Sequence, residues 1–347
     1  MNTNRLQHIW SEKFWNECAE WIENKYFNLL PQNLKNIPNK SPLEPTNHRI
    51  EKFVRELCHK TGRGAYHIGL TSSDLEDNIR TIRIVESYNH ISKKLESLTE
   101  SLAKMLTNKV IRAYTHLLPA GQTTLTNRFA HLLEYQKNIP DPVIHFKGIG
   151  GSVGRKHVQK HLKIDVVGFF PPEYAKTQTY CSQTGNHLSE IEITRWISEQ
   201  TVFLTKLAND LRMMVVFNQI KITEKDVAST ALVQKPRPNP WRLERVVGMS
   251  NEIFNKFPTV CRAAADCMLE RTLTNQSVLN YALKELFLLI ESMIRDINEF
   301  LQNCEFIVEE EENDPEIELA DLMTEKRIDR RAAYKIINNK HKNLWKI

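Results

Sequence analysis

The sequence predicts an all-α protein of three parts, arranged around a long central bundle of five helices. Only 11 of the 347 residues are Gly, less than half of the usual share of roughly 7%, which leaves few sites for tight turns. Three stretches, each several times the mean helix length of roughly 11–12 residues, contain neither Gly nor Pro. Within them, apolar residues recur every three or four positions, as they do along one face of a helix.

The stretches without Gly or Pro span residues 79–118, 186–235 and 259–314. Each predicts a helix long enough to bury its apolar face against other helices in a bundle. The residues predicted to face the core are Ile79, Ile82, Val85, Tyr88, Ile91, Leu95, Leu98, Leu102 and Met105 in the first stretch, Ile193, Trp196, Phe203, Leu207, Leu211 and Met214 in the second, and Leu283, Leu286, Leu289, Ile290, Met293, Ile297 and Phe300 in the third. Two further helices are predicted at Gln122–Asn138 and Trp241–Phe257.

Two irregular stretches divide the chain. Residues 31–45 contain four Pro and follow an N-terminal helical segment, and residues 304–318 are acidic and precede a short helical region. Such stretches are typical of connectors between elements. We therefore predict a small N-terminal helical domain at 1–78, a central long-helix domain at 79–304 and a C-terminal helical cap at 305–347.

Composition and charge disfavour several classes of protein. With 41% hydrophobic and 26% charged residues, the chain is typical of a globular protein and not of a disordered or collagen-like one. The net charge of +5 is spread over alternating basic and acidic residues, so no nucleic-acid-binding face is predicted. The six Cys form no CxxC pair, and neither a leader-like segment nor a run of 18 apolar residues occurs. We expect a cytoplasmic protein with reduced thiols and no membrane partner.

Three polar segments next to predicted helix ends could carry chemistry. HIGLTSSDLEDN (67–78) is either an ordinary helix start, because its hydroxyls and Asp are good N-caps, or a helix N-terminus that binds a carboxylate or phosphate. In RAYTHLLPAGQTT (112–124), His116 is either a structural hydrogen-bonding residue or a proton donor held at a helix junction. ASTALVQKPRPNP (228–240) is a loop, either a solvated basic linker or a source of a hydroxyl, two cations and an amide.

Metal and cofactor motifs are not found in the sequence. HExxH, GxSxG and GxxxxGK[ST] do not occur. GIGGSVG (148–154) has the glycines of a dinucleotide-binding loop, but no strand–helix alternation surrounds it. We therefore predict no cofactor and no metal.

Taken in order, the polar segments resemble the fumarase/aspartase superfamily and, within it, the adenylosuccinate lyase family, of which the chain is identified as a shortened, divergent member. The three segments resemble the family's H-x-G-x-T-S, T-H-x-x-P-A-x-x-T-T and signature-loop elements. FKGIGGSVG (146–154) resembles its glycine-bearing loop, QTGNHLSEIE (183–192) the start of its longest helix, and LERTLTNQS (269–277) its E-R-x-L-x-x-S element.

This resemblance, which runs over residues 65–285, implies a fumarase/aspartase-like fold and a homotetramer whose subunits share active sites. It also implies a carbon–nitrogen lyase of purine biosynthesis, which releases fumarate from a succinyl-amine such as adenylosuccinate. Ser229 would be the general base and His116 the general acid. The implied substrate-binding residues are His67, Thr71, Ser72, Ser73, Thr115, Gln183, Lys235, Asn239, Arg271 and Ser277.

The signature loop departs from the family pattern and can be aligned in two ways. A gapped alignment keeps Ser229 and Lys235 in register with the family's base and Lys. An ungapped alignment on Asn239 puts Ala231 and Arg237 at those positions instead. The gapped alignment is the preferred one because it retains both functional groups.

The family's phosphate-binding Arg, three residues after the Ser of the last element, is replaced by Asn280. Losing a bidentate phosphate ligand weakens recognition of a nucleotide. Two alternatives therefore stay open beside adenylosuccinate-type activity. One is the same lyase chemistry on a non-nucleotide succinyl-amine, and the other is a catalytically inactive helical scaffold.

Overall fold

Long α-helices make up most of the computed structural model, which describes residues 4–171, 175–223, 238–272 and 276–341. Within these ranges the helices are α1 (Asn4–Ile9), α2 (Glu12–Phe27), α3 (Gln32–Lys35), α4 (Arg49–Thr61), α5 (Ser72–Met105), α6 (Leu125–Lys137), α7 (His157–His161), α8 (Leu188–Val216), α9 (Trp241–Ala265), α10 (Gln276–Gln302), α11 (Pro315–Lys326) and α12 (Arg330–His341). The strands, which pair two by two, are β1 (Val110–Thr115), β2 (Leu118–Thr124), β3 (His145–Phe146), β4 (Lys176–Thr177), β5 (Ile220–Ile222) and β6 (Cys304–Phe306).

The chain forms two compact units. The first unit comprises Met1–Leu98, Gln136–Asn209 and Trp241–Glu299. The second unit comprises Thr99–Tyr135, Asp210–Pro240 and Phe300–Ile347. The division into residues 1–78, 79–304 and 305–347 stays a prediction.

The three longest helices, α5, α8 and α10, correspond to the three stretches without Gly or Pro. Every residue of α8 predicted to face the core is buried, and in α10 only Leu289 of the predicted face is half-buried. In α5 the exceptions are Ile82, Tyr88 and Met105, which are half-buried. Burying one large aliphatic side chain stabilises the fold by roughly 1.5–3 kcal/mol, so packing of these faces, more than helix propensity, stabilises the helices.

Helix α9 is longer than the sequence predicts. The prediction ends at Phe257 because Pro258 follows, but the helix continues through this Pro to Ala265. Beyond the Pro, Val260 and Ala263 are buried in an apolar cluster with residues of α10. Their burial offsets the backbone hydrogen bond that Pro cannot donate.

The predicted helix Gln122–Asn138 is wrong at its start, because its first residues belong to a β-hairpin. Strand β1 pairs antiparallel with β2, and α6 begins at Leu125. His116 and Leu117 form the turn with φ values of 53° and 63°, the left-handed conformation that two-residue hairpin loops need. The expected helix junction at His116 is therefore also wrong. The β-branched and aromatic residues of β1 favour a strand here.

A core of aliphatic and aromatic side chains in the first unit surrounds the start of α5. Its largest buried side chains include Trp15, Tyr26, Phe146 and Phe170.

The glycine-bearing loop that follows β3 packs closely against the backbone at Cys181. At Gly154, φ is +72° and a Cβ would lie 2.5 Å from the carbonyl oxygen of Cys181, so the conformation and the available space both require Gly.

In the second unit, the acidic connector is held against the β-hairpin by charge. The Arg112 guanidinium lies 2.7 Å from Glu312 and 2.8 Å from Glu309, and the Glu312 amide donates to Gln122 Oε1 at 2.8 Å. After the connector, α11 and α12 pack together through an apolar cluster that includes Leu319 and Ala333. The stretch predicted as an irregular connector thus has defined partners.

Candidate functional site

The HIGLTSSDLEDN segment contains the first turn of α5, where Asp74 accepts hydrogen bonds from the surrounding backbone. Asp74 is fully buried and accepts hydrogen bonds from the amide and hydroxyl of Thr71 at 2.8 and 3.1 Å. It also accepts from the amides of Gly150 and Gly151 and from Lys147 Nζ at 2.6 Å. Its carboxylate therefore joins the helix start to the glycine-bearing loop, and Thr71 has a structural partner.

A second buried network lies one turn further along α5. Arg80, 1% exposed, contacts Asp77 at 3.1 Å and Glu190 at 3.0 Å and donates to the side chain of Gln276. Burial by itself lowers the pKa of the Arg80 guanidinium, but the two carboxylates more than offset it and the pKa is raised. Glu190 also accepts from His187 Nδ1 at 3.1 Å. The network joins α5 to α8 by paired charges and α5 to α10 by the hydrogen bond to Gln276.

Three residues predicted to bind substrate come together in one cleft. Ser72, Arg271 and Ser277 line a cleft of about 270 Å³ in the first unit. Asn280, at the position of the family's phosphate-binding Arg, also lines this cleft, and its Oδ1 accepts a hydrogen bond from Arg80 Nε at 3.1 Å. We refer to this cleft below as the Arg271 cleft.

The Arg271 cleft is electrostatically suited to an anion. Helices α5 and α10 both begin at it, and helix N-termini carry partial positive charge. Among the described residues, none accepts a hydrogen bond from the buried Nε of Arg271. The other Arg of the cleft, Arg49, is already paired with Glu12 and Glu76. Within the described ranges, no residue competes for this N–H group, which suits a carboxylate or phosphate, the ligands that Arg binds best.

Of the other predicted residues of the first unit, His67 and Gln183 have internal hydrogen-bond partners. The amide of His67 donates to the buried Glu23, and its Nδ1 lies 2.5 Å from Glu23 Oε1. Gln183 Oε1 accepts from the Val153 amide at 3.3 Å. Ser73 is buried, and within the described ranges its Oγ has no hydrogen-bond partner.

The remaining predicted residues belong to the second unit or lie outside the described residues. Thr115 and His116 are exposed at the tip of the β-hairpin, and Asn239 is exposed just before α9. Ser229 and Lys235, the predicted base and its neighbour, lie outside the described residues.

The sequence motifs do not predict the buried charge pairs of the first unit. Asp74 was predicted only as a helix cap, and Arg80 lies outside the predicted segments. Asp77, Lys147 and Glu190 lie inside the segments 67–78, 146–154 and 183–192, but no role was predicted for them. The signal available for Arg80 is a charged residue placed between Ile79 and Ile82, within the span of the apolar face of α5. Lys147 carries no such signal.

No group of three or more His, Cys, Asp or Glu in the described ranges is arranged to hold a metal ion. Of the helices described, none combines the length and apolar composition needed to cross a membrane.

No protein-family model matches the chain, but curated proteins do. The chain is 26% identical to the adenylosuccinate lyase of Schistosoma mansoni over 249 residues, which are 66% of this chain and 52% of that protein. It is 25% identical to the adenylosuccinate lyase of Caenorhabditis briggsae over 324 residues, which are 84% of this chain and 65% of that protein. It is 27% identical to the adenylosuccinate lyase of Pyrococcus abyssi over 281 residues, which are 75% of this chain and 60% of that protein. The chain thus spans between about half and two thirds of the length of these relatives.

Two solved structures share the fold. A fumarate lyase from Mesorhizobium sp. BNC1 has a TM-score of 0.72 with 14% identity. The match covers 96% of this chain and 84% of the fumarate lyase chain. The β-carboxy-cis,cis-muconate cycloisomerase of Acinetobacter calcoaceticus sp. ADP1 has a TM-score of 0.73 with 15% identity. The match covers 97% of this chain and 86% of the cycloisomerase chain. These likenesses confirm the fold class predicted from the sequence.

Proposed function

Because this chain is a divergent member of the fumarase/aspartase superfamily, we propose that it is a carbon–nitrogen lyase that eliminates fumarate from a succinyl-amine such as adenylosuccinate. The observation that carries the proposal is the Arg271 cleft. It joins an N–H group without a partner among the residues described, two serine hydroxyls and two helix N-termini in about 270 Å³. This is a donor set suited to a carboxylate or phosphate of the substrate.

The chemistry follows from the residue types assigned by resemblance. Ser229, as an alkoxide, removes a proton from the carbon beside a carboxylate of the succinyl group. The electron pair forms the double bond of fumarate, the carbon–nitrogen bond breaks, and His116 protonates the departing nitrogen. Negative charge builds up on the carboxylate during proton removal, and Lys235 and Asn239 would stabilise it.

The assignment of the base rests on the gapped alignment of the signature loop. In the ungapped alignment Ala231 replaces the base and Arg237 the Lys, and no residue at that position could accept the proton. The proposal therefore requires Ser229 for turnover.

One observation favours the same chemistry on a substrate without a nucleotide phosphate. Asn280 stands where the family has an Arg, and its amide oxygen is held by the buried Arg80 at 3.1 Å. Position 280 therefore offers no cation to a phosphate. Arg271 remains available in the same cleft, so a succinyl-amine with fewer anionic groups is the second candidate.

We propose further that the enzyme acts in purine biosynthesis in the cytoplasm as a homotetramer with shared sites. The tetramer is supported by large apolar side chains exposed on the long helices of the first unit, among them Val202 of α8, Phe254 of α9 and Tyr281 of α10. Burying such side chains between subunits would favour assembly. Light scattering coupled to size exclusion would give the mass of four chains.

The function is tested by following fumarate release by ultraviolet absorbance. Adenylosuccinate, the succinylated aminoimidazole intermediate and argininosuccinate are offered separately. Fumarate from either of the first two supports the proposal, and fumarate from argininosuccinate alone supports the phosphate-free candidate. If none of the three releases fumarate, the lyase proposal for these substrates is wrong and an inactive scaffold is favoured.

A further inference from the structure

A second cleft in the first unit contains a cysteine that the proposed reaction does not use. This cleft has a volume of about 340 Å³, and its lining includes Cys267, His187, Thr184 and Gln178. Cys267 lies two residues beyond the end of α9 and is half-buried. Its Sγ is 3.6 Å from the Thr184 hydroxyl.

His187 stands beside this thiol in the arrangement of a base held by a carboxylate. It is 3% exposed, with φ +57°, and its Nδ1 lies 3.1 Å from Glu190 Oε1. Because Glu190 accepts the Nδ1 proton, Nε2 is the nitrogen left to take or give a proton. In the part of the chain that the structure describes, this buried Nε2 has no hydrogen-bond partner of good geometry.

Electrostatics favour a thiolate beside an imidazolium. Burial would raise the pKa of the Cys267 thiol, but Thr184, His187 and the Thr272 amide outweigh it and the pKa is lowered. Burial would likewise lower the pKa of His187, but Glu190 raises it. His187 lowers the pKa of the thiol because its ring and its charge lie close to the sulfur.

The cleft also indicates what would react. The buried Oε1 of Gln178, which lines the cleft, finds no donor among the described residues. A ligand with an amide N–H would satisfy this oxygen. The volume of about 340 Å³ leaves room for a small organic ligand.

We propose that Cys267, His187 and Glu190 form a nucleophile, a base and an orienting carboxylate, and that Cys267 is a covalent modification site for small α,β-unsaturated carboxamides. The thiolate forms a carbon–sulfur bond at the β-carbon, and the carbon–carbon π bond breaks. Its electron pair moves to the α-carbon, which takes the proton from His187 Nε2. The products are a thioether and neutral His187, with no net oxidation or reduction.

The test is alkylation of the folded full chain by acrylamide between pH 5 and 9, with the rate at each Cys measured by peptide mass spectrometry. Cys58 and Cys304 are internal controls because they are also half-buried, but burial raises the pKa of both, that of Cys304 to about 12. At pH 7 an ordinary thiol is a few per cent thiolate, so Cys267 should react at least about tenfold faster than either control.

The variant arm uses His187→Asn, whose amide can still donate to Glu190. It should slow alkylation of Cys267 about tenfold at pH 7 and move the midpoint of its pH profile upward, while Cys58 is unchanged. A rate at Cys267 no greater than at Cys58 in the wild-type chain overturns the proposal, whether or not the variant folds. An unchanged pH profile in a folded His187→Asn protein overturns the role of His187.

Discussion

Arg80 Nε donates a hydrogen bond to Asn280 Oδ1 at 3.1 Å, joining two residues 200 positions apart in the sequence. Arg80 is buried and already neutralised by Asp77 and Glu190. Residue 280 is therefore part of the packing between α5 and α10 and receives a hydrogen bond from a cation. An Arg here would need to displace this contact before it could reach a ligand.

Asn280→Arg should destabilise the chain, although it restores the residue type of the family. The new guanidinium would lie beside Arg80, whose two carboxylates are already engaged, so one cation would be left without a counter-charge. We expect the free energy of unfolding in urea to fall by at least about 2 kcal/mol. Asn251→Arg, at an exposed position of α9, is the control and should change it by less than about 0.5 kcal/mol. Equal stability of the two variants would contradict this role for Asn280.

Lys147→Met should be more costly than removing a surface cation. Lys147 Nζ lies 2.6 Å from Asp74 Oδ1, and both side chains are at most 1% exposed. Without the ammonium, the Asp74 carboxylate is left buried with only neutral donors, which costs about 3–5 kcal/mol. Lys60→Met removes the exposed partner of Glu20 and should cost about 1 kcal/mol or less. Urea unfolding of both variants measures the difference.

Acid should destabilise the fold through Glu190. Burial raises the pKa of Glu190, but His187 and Arg80 outweigh it and lower the pKa to about 2. Because the pKa of the folded state lies below the unfolded value, Glu190 stabilises the fold above pH 4.5, and this contribution, on the order of 3 kcal/mol, is lost as the pH falls towards 2. Glu190→Gln should be less stable at pH 7 and should lose less stability between pH 4.5 and 2. An identical acid slope in the variant and wild type would contradict this.

Much of the fold could be predicted from the sequence because long helices without Gly or Pro bury regular apolar faces. Where prediction failed, tertiary contacts outweighed local signals. Pro258 did not end α9, because Val260 and Ala263 are buried beyond it. At the β-hairpin, the run of apolar residues is too short for its spacing to distinguish a helix from a strand. The turn at His116 and Leu117 is left-handed but contains no Gly, so the sequence gives no sign of a hairpin turn there.

The Arg271 cleft could be predicted only in part. Ser72, Arg271 and Ser277 were found by motif, but their meeting depends on where α5 and α10 begin. The motifs did not identify Arg80 or Lys147, because burial of these cations depends on the carboxylates of Glu190 and Asp74, which are distant from them in sequence. Such pairs become visible only in three dimensions.

Arg271→Met should weaken substrate binding without unfolding the chain. A charge-assisted hydrogen bond from Arg to an anion contributes about 1.5–3 kcal/mol, so the dissociation constant for adenylosuccinate should rise about tenfold or more. Isothermal titration in a Ser229→Ala background separates binding from turnover. Arg262→Met, whose Arg side chain is 85% exposed, is the control and should bind as the background does. Equal affinity for Arg271→Met would exclude the Arg271 cleft as the anion site.

The most direct test of the proposed lyase is the rate of fumarate release from adenylosuccinate by the wild-type chain and by Ser229→Ala and His116→Ala, at equal concentrations of folded protein. We predict continuous release by the wild type and rates lower by about 10²–10⁴ in each variant, the range that a positioned acid or base contributes. Circular dichroism and light scattering should show unchanged folding and assembly in both. Full activity in Ser229→Ala would contradict the assignment of the base, and a folded wild-type chain that releases no fumarate would contradict the proposal that it is an adenylosuccinate-type lyase.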